Sequence, residues 1–196
     1  SLEVCQMNET EQALLDAAMR VFSRYGVKRS SMSDLCAEAG VSRQTFYNNF
    51  RNKDDILRAL IRSYTERALA GIEAGRQDCN SLGELLDLVF EQTVVAGFDM
   101  VDAMPNAEDF IDGVHCSSKE GMEAAHARFR AVIAEILAPH AAALEASGIA
   151  VPALADLVQR ASKAAGLSAR DRDHLFTQLA TLRQLCLAAA GQPDGR

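Results

Sequence analysis

The chain has 196 residues, of which 48% are hydrophobic and 24% are charged, and this length and composition suit a globular protein with a sizeable core. No run approaches the roughly 18 uninterrupted apolar residues of a membrane span. No signal-peptide pattern is found, so we expect a cytoplasmic protein with no membrane partner. The five cysteines are scattered without C-x-x-C spacing, which favours reduced thiols.

The formal net charge of −7 argues at first against a nucleic-acid partner. The charge is unevenly distributed, because residues 1–64 carry nine basic and eight acidic side chains, a net charge of +1, and the remainder carries −8. Counterion release from DNA needs cations at the contact surface and not a basic whole protein. Binding to DNA is therefore still possible, and we expect it to be strongly salt-sensitive.

The first predicted helix begins with Thr10 as its N-cap and ends at Tyr25 and Gly26. Apolar residues recur in it at i, i+3 and i+4 spacing, which predicts one buried face. These residues are Leu14, Leu15, Ala18, Val21 and Phe22.

Residues 30–53 are predicted to form two short helices joined by a tight turn. Ser31 has the side chain of an N-cap for the first helix, and Gly40 can end that helix in the left-handed region. Ser42 can then cap a second helix from Arg43 to Phe50.

The second of these helices has an apolar face and a polar face. At about 100° per residue, Phe46 and Phe50 fall together and face the core. The outward and flanking residues are Arg43, Gln44, Thr45, Tyr47, Asn48 and Asn49. Amide and guanidinium side chains can pair with base edges in a major groove. The pattern predicts a helix-turn-helix whose second helix reads DNA, and an ordinary αα-hairpin is the alternative.

The run from Gly26 to Leu57 also resembles the N-terminal domain of TetR-family transcriptional repressors. The resemblance covers roughly the first third of the chain. It rests on a Gly-Val-Ser turn, a Thr, an apolar residue and a Tyr, then an aromatic residue and a Lys that opens the next helix. The matching residues are Gly40, Val41, Ser42, Thr45, Phe46, Tyr47, Phe50, Lys53 and Leu57.

The resemblance implies a set of DNA contacts. Residues at positions that meet bases or their sugars are Arg43, Gln44, Thr45 and Asn48. Residues at positions that hold the phosphate backbone are Ser31, Ser33, Tyr47, Asn49 and Lys53. Two departures from the family pattern stand out: the start of the first helix is acidic at Glu9 and Glu11, and Gln44 replaces a small residue. The first is expected to lower affinity and the second to alter the operator sequence.

The rest of the chain reads as helices separated by polar breaks. We predict helices over residues 54–74, 82–104, 107–114, 122–146 with a kink at Pro139, 153–165, and a last one ending near Ala190, with a loop over 115–121, a linker over 147–152 and a disordered tail over 192–196. The fold class is therefore all-α with about nine helices. The resemblance implies two domains, a three-helix DNA-binding domain over residues 1–52 and a helical ligand-binding and dimerisation domain over residues 53–196.

The last helix carries an apolar stripe that suits a partner face, although packing within the chain is the alternative. The stripe consists of Leu175, Leu179, Leu182, Leu185 and Cys186. The resemblance implies a four-helix bundle between two subunits. We therefore expect a homodimer that places its two reading helices about one DNA turn, or ~34 Å, apart on a palindromic operator.

The resemblance further implies that the C-terminal helices bind a small-molecule effector. It also implies that the helix joining the two domains transmits the effect of this ligand to the DNA-binding domain. The aromatic, Met and His side chains that suit an apolar ligand are Phe90, Phe98, Met104, Phe110, His115, Met122, His126 and Phe129. Each of them also fits an ordinary core position. No cofactor is expected, and no metal, because His115, Cys116 and His126 lack a tight ligand spacing.

The sequence contains no phosphate-binding loop, no G-x-S-x-G and no H-E-x-x-H. We therefore expect a ligand-responsive DNA-binding repressor and not an enzyme. A helical interaction protein that does not bind DNA is the alternative.

Overall fold

The structure is a computed structural model that describes residues 9–117 and 119–192. Regular secondary structure in these residues is entirely helical, so the predicted all-α class is confirmed. The α-helices are α1 (Glu9–Tyr25), α2 (Met32–Ala39), α3 (Arg43–Asn49), α4 (Lys53–Gly75), α5 (Leu82–Phe90), α6 (Ala96–Asp102), α7 (Ala107–Ser117), α8 (Lys119–Leu137), α9 (Ala141–Ala146), α10 (Val151–Ser168) and α11 (Arg172–Ala189).

Some of these helices follow one another without a break. A π-helix, Glu91–Val95, joins α5 to α6, and a short 3₁₀ helix, Ala138–His140, joins α8 to α9. Counted as continuous stretches, the described residues form nine helices, as predicted. The 3₁₀ segment contains Pro139, where the sequence predicted a kink.

The chain forms two compact units, and three of its helices contribute residues to both. Unit 1 consists of the described residues of Ser1–Ser63 and Val101–Met122. Its apolar core is formed by side chains from α1 to α4, α6 and α7, with Phe22, Phe46 and Ile56 fully buried. The predicted core face of α1 is confirmed, because Leu14, Leu15, Ala18, Val21 and Phe22 are all buried.

Unit 2 consists of Tyr64–Met100 and the described residues of Glu123–Arg196. Its core packs side chains of α5, α8, α10 and α11 around Leu86, Ile133 and Leu175. The two units are defined by the contacts between residues and not by function. The predicted functional boundary between residues 52 and 53 stays a prediction.

Several predicted boundaries were wrong. Thr10 lies inside the first turn of α1 and does not precede the helix. The predicted loop over residues 115–121 is helical on both sides of residue 118, because α7 continues to Ser117 and α8 begins at Lys119. The predicted linker over 147–152 ends early, since α10 begins at Val151 with Pro152 in its first turn, where proline is tolerated. Residues 193–196 of the predicted tail lie outside the described residues.

No single helix in the described part of the chain is long and apolar enough to cross a membrane. Two segments, Lys119–Ala146 and Val151–Ser168, satisfy the length and composition criteria only as a pair, and they are bent by 115° relative to each other.

Candidate nucleic-acid interface

Helix α2 is fixed at both ends by its own sequence. Ser31 is the N-cap, and its backbone N–H and its hydroxyl both donate to Asp34 Oδ2 at 2.7 Å, while the Asp34 N–H donates to Ser31 Oγ at 3.1 Å. This is a capping box in which Asp34 takes the place of the usual Glu or Gln. The hydrogen bonds from Ser31 lower the pKa of the Asp34 carboxyl. Gly40 ends the helix at φ 67°, in the left-handed region, as predicted.

Helix α3 follows two residues after this turn and is also capped as predicted. The Thr45 N–H donates to Ser42 Oγ at 3.1 Å, and the two hydroxyl oxygens lie 2.9 Å apart. Phe46 and Phe50 are buried, with ring centroids 5.9 Å apart. These two rings fix the rotation of α3 about its axis, and therefore they determine which side chains face outward.

The outward face of α3 carries the predicted base-reading residues. Arg43, Gln44 and Asn48 are exposed, and Thr45 is half-buried. The Gln44 side-chain N–H donates to Asn48 Oδ1 at 2.8 Å, one helical turn away. This bond does not use the Gln44 carbonyl oxygen, which is an acceptor, or the Asn48 amino group, which is a donor. The Arg43 guanidinium donates to Ser33 Oγ, so α3 and the first turn of α2 are linked through their polar side chains.

The predicted phosphate-contacting residues are placed in two ways. Tyr47 is 44% exposed and Asn49 is exposed, and the Asn49 amino group donates to the Thr45 carbonyl at 2.9 Å. Lys53 is half-buried, and its ammonium donates to the carbonyl oxygens of Val27 at 2.8 Å and Ser30 at 2.9 Å. Two of its three N–H groups are thus used within unit 1, which leaves one for a phosphate.

Beside α3 lies a surface groove of about 390 Å³ that is lined by Arg51, Arg58 and Arg62, and Arg58 and Arg62 were not predicted to contact DNA. Its lining is Glu11, Tyr47, Asn48, Asn49, Phe50, Arg51, Asp55, Arg58 and Arg62. Arg58 and Arg62 stand four residues apart on α4, a spacing that places them on one face and was a signal available in the sequence.

Asp55 organises two of the cations in this groove. Its carboxylate accepts from Arg51 Nε at 2.8 Å and also from the guanidinium of Arg58. These arginine hydrogen bonds, with the backbone N–H of Arg51, hold the pKa of Asp55 far below its usual range. The Arg51 side chain remains 82% exposed, so its guanidinium is oriented yet still accessible to an anion.

The turn between α1 and α2 is held by side chains from distant parts of the sequence. The carboxylate of Asp109, on α7, accepts from the backbone N–H groups of Val27 and, at 3.2 Å, Lys28. The side chain of Asn106 donates to the Arg24 carbonyl at 2.9 Å. A Cβ on Gly26, whose φ is 83°, would meet the Asp109 carboxylate at 2.6 Å, so the turn needs glycine there. No local sequence pattern indicates this role of Asp109.

Comparison with known proteins supports the same interpretation of this domain. The sequence profile described as bacterial regulatory proteins, tetR family, matches residues 14–60. The regulator TtgR of Pseudomonas putida is 33% identical over 95 residues, which cover 46% of this chain and 45% of TtgR. The regulator AcrR of Shigella flexneri is 39% identical over 51 residues, which cover 26% of this chain and 24% of AcrR.

The matched segment contains the whole helix-turn-helix. The similarity to the TetR family lies in this N-terminal segment. The matches span less than half of the length of these curated relatives. The relatives are transcriptional regulators and not enzymes, which agrees with the non-enzymatic prediction.

Solved structures are similar in fold over nearly the whole chain. The fatty acid degradation regulator FadR of Bacillus halodurans has a TM-score of 0.69 at 16% identity, covering 97% of this chain and 100% of that one. SmeT, the repressor of the Stenotrophomonas maltophilia multidrug efflux pump SmeDEF, has a TM-score of 0.61 at 17% identity, covering 94% of this chain and 90% of SmeT. At this identity the likeness concerns the fold alone.

The candidate effector residues are distributed over both units. In unit 1, Met104 and Phe110 belong to the apolar core, while His115 and Met122 are half-buried. The remaining candidates lie in unit 2, where Phe90 and Phe129 are buried and Phe98 and His126 are half-buried. An effector pocket formed by these residues stays a prediction.

The apolar stripe on α11, which was predicted to contact a partner subunit, is mostly buried inside unit 2. Leu175, Leu179 and Cys186 are buried in its core, and only Leu185, at 64%, is strongly exposed. The physical reason is that α11 directs this stripe toward α5 and α10. A different face of α11 is exposed and uncharged, and it consists of Thr177, Ala180, Thr181, Gln184, Leu185 and Ala188.

Helix α10 carries a matching exposed stripe. Its residues follow i, i+4, i+7, i+11 and i+14 spacing, which places them on one face. They are Ala153, Leu157, Arg160, Ala164 and Leu167. Leu157 and Leu167 are 58% and 52% exposed. Since α10 and α11 pack against each other, unit 2 presents two neighbouring helices whose outward residues are uncharged apart from Arg160.

Proposed function

We propose that this protein is a ligand-responsive transcriptional regulator, most simply a repressor, that binds a palindromic DNA operator as a homodimer. The observation that carries the proposal is the doubly capped helix-turn-helix, whose second helix turns Arg43, Gln44 and Asn48 outward above the buried Phe46. A short helix held in this way can enter the major groove with its first residues against base edges.

The reading helix supplies the sequence-specific part of the interface. Arg43 can donate to guanine, and the acceptor on Gln44 with the donor on Asn48 can pair with adenine. The flanking residues Ser31, Ser33, Tyr47, Asn49 and Lys53 hold the phosphate backbone. The groove beside α3 adds Arg51, Arg58 and Arg62 to this surface. DNA binding needs such local cations, and the net charge of −7 for the whole chain does not exclude them.

The homodimer is supported by the exposed faces of α10 and α11. Leucines that are more than half exposed, such as Leu157 and Leu185, are unusual on a surface without a partner when they occur in a stripe. A two-fold dimer through these helices gives each operator half-site one reading helix. The effector, predicted to be small and largely apolar, would release the dimer from DNA by favouring a second arrangement of the two heads.

A helical interaction protein without DNA binding is the second candidate. It is favoured by Glu11, which places a carboxylate in the groove beside α3 where a phosphate would approach. Repulsion between this carboxylate and a DNA phosphate opposes DNA binding, although salt screens the repulsion. The experiment below separates the two candidates.

The test is fluorescence anisotropy of the purified protein with the duplex just upstream of its own gene, against an unrelated duplex, at two salt concentrations. We expect preferential binding that weakens steeply with salt. Tyr47→Ala should weaken binding to both duplexes by about fivefold, the worth of one hydrogen bond to phosphate. Tyr25→Ala is the matched control, because Tyr25 is 49% exposed at the end of α1. Equal, salt-independent binding to both duplexes would favour the interaction protein.

A further inference from the structure

Unit 2 contains a cluster of charged side chains between α8 and α10 that the DNA interface does not use. On α8 its members are Glu123, His126 and Arg130, at i, i+3 and i+7. On α10 they are Asp156, Arg160 and Lys163, at i, i+4 and i+7. Arg130 Nε lies 3.6 Å from Asp156 Oδ1, so the two rows face each other.

The two carboxylates of the cluster are already paired. Arg130 Nη2 lies 2.7 Å from Glu123 Oε1, and Arg160 Nε lies 2.9 Å from Asp156 Oδ2. Arg130, Arg160 and Lys163 therefore share two carboxylates, and the cluster has one more positive than negative charge in the described residues. A surplus charge at a partly buried site is costly unless an anion compensates it.

The hydrogen-bond donors of the cluster are also in surplus. Arg130 Nη1 is buried and has no hydrogen-bond partner in the part of the chain that the structure describes. Lys163 is half-buried, and its ammonium has no hydrogen bond or ion pair within residues 9–117 and 119–192. The His126 side chain is 14% exposed, and its nearest charged partner, Glu123, is 4.0 Å away. Buried donors without acceptors are rare in folded proteins and call for an explanation.

The titration of the cluster agrees with an excess of positive charge. Burial and then the charge of Lys163 lower the pKa of His126 to about 4, and Arg130 and Arg160 add to the effect. Burial also lowers the pKa of Lys163. An anion bound at His126 would reverse these shifts, because it would stabilise the protonated forms.

We propose that Arg130, Lys163 and His126 form a binding site for the carboxylate group of a small organic acid. The carboxylate oxygens would accept from Arg130 Nη1 and the Lys163 ammonium, and a single negative charge matches the single unpaired positive charge. The role of this acid as the effector rests on the proposed function, whereas the site itself does not.

The test uses hexanoate and its uncharged counterpart hexanamide, titrated by calorimetry into the full chain without DNA. We expect hexanoate to bind at least tenfold more tightly than hexanamide. Arg130→Gln and Lys163→Gln should each weaken hexanoate binding by about tenfold, since each removes a charged donor. Arg128→Gln is the matched control, because Arg128 lies on α8 with the same charge but pairs with Glu66 outside the cluster. If Arg130→Gln does not fold, Lys163→Gln carries the test.

The outcomes separate this site from the DNA-binding proposal. Equal affinity for hexanoate and hexanamide would overturn the carboxylate site. The same holds if Arg130→Gln dissociates a dimer without changing hexanoate binding, because the missing acceptor would then come from a second copy of the chain. If hexanoate binds as expected but the protein shows no affinity for DNA, the proposed function fails and the site stands.

Discussion

At the scale of single residues, the proposed interface depends on polar side chains that are held before DNA arrives. The 2.8 Å hydrogen bond between Gln44 and Asn48 fixes one face of α3, and the bond from Arg43 to Ser33 fixes another. Such preorganisation reduces the side-chain entropy that is lost on binding. Specificity at this interface should therefore depend on individual side chains of α3.

Replacement of Gln44 tests the reading of bases. Gln44→Ala should change the preferred base at one position in each half-site and lose about 1–3 kcal/mol of discrimination there, with little loss of affinity for unrelated DNA. Competition binding with operators that vary at each position measures this effect. Gln178→Ala, at an exposed position on α11, is the control. An unchanged base preference would mean that Gln44 does not read the operator.

His126 gives a prediction for stability against pH. Because burial and neighbouring cations lower its pKa from 6.5 to about 4, the unfolded chain binds more protons between these pH values. Stability should therefore fall as the pH falls from 7 to 5, by at most about 2 kcal/mol, and by about 1 kcal/mol after allowance for solvent screening. The charged groups that surround it are Glu123, Arg130, Arg160 and Lys163.

Urea unfolding at pH 7 and pH 5 measures this difference, and His126→Gln is the control because it cannot titrate. The variant should lose most of the pH dependence over this interval. Equal pH dependence in the two proteins would assign the effect to other groups.

At the scale of helices, unit 1 shows which features can be read from local sequence and which cannot. Both ends of α2 and the start of α3 were predicted correctly because Ser31, Gly40 and Ser42 act within three or four residues of themselves. Helix α3 ends at Asn49, one residue before the predicted end. The placement of Lys53 and Asp109 was not predicted, since Lys53 binds a carbonyl 26 residues away and Asp109 binds an N–H 82 residues away. Sequence periodicity carries no record of such contacts.

Asp109 tests the importance of the turn before α2. Asp109→Asn should destabilise unit 1 by about 1–2 kcal/mol, because an amide oxygen accepts less strongly from the Val27 and Lys28 N–H groups than a carboxylate. DNA affinity should fall together with stability, because this turn positions Lys28 and Ser31. Thermal unfolding and anisotropy measure the two effects. Asp112→Asn, exposed on the same helix, should change neither.

At the scale of the whole molecule, the fold class and the number of helices followed from the sequence, but the use of the helix faces did not. The stripe of Leu175, Leu179 and Cys186 has the spacing of a partner surface and is nevertheless buried within unit 2. Helical spacing identifies an apolar face, and it does not say whether the same chain or another covers it. The error over residues 115–121 has a similar origin, because a polar stretch can continue a helix as well as end it.

The exposed faces of α10 and α11 predict the oligomeric state. Leu185→Glu should shift the dimer toward monomer at micromolar concentration, because a charge would be buried in the interface without a partner. Sedimentation measures this shift. Ala142→Glu, exposed on α9, is the control and should remain dimeric. A wild-type protein that sediments as a monomer at this concentration would contradict the proposed homodimer.

The most direct measurement is the selection of binding sites by the purified protein from a pool of random DNA duplexes, which requires no knowledge of the operator. We predict the enrichment of a palindrome whose half-sites are centred about one helical turn, or ~34 Å, apart, as expected for two α3 helices in a two-fold dimer. Enrichment of no sequence above the unselected pool would contradict the proposal that this protein reads DNA.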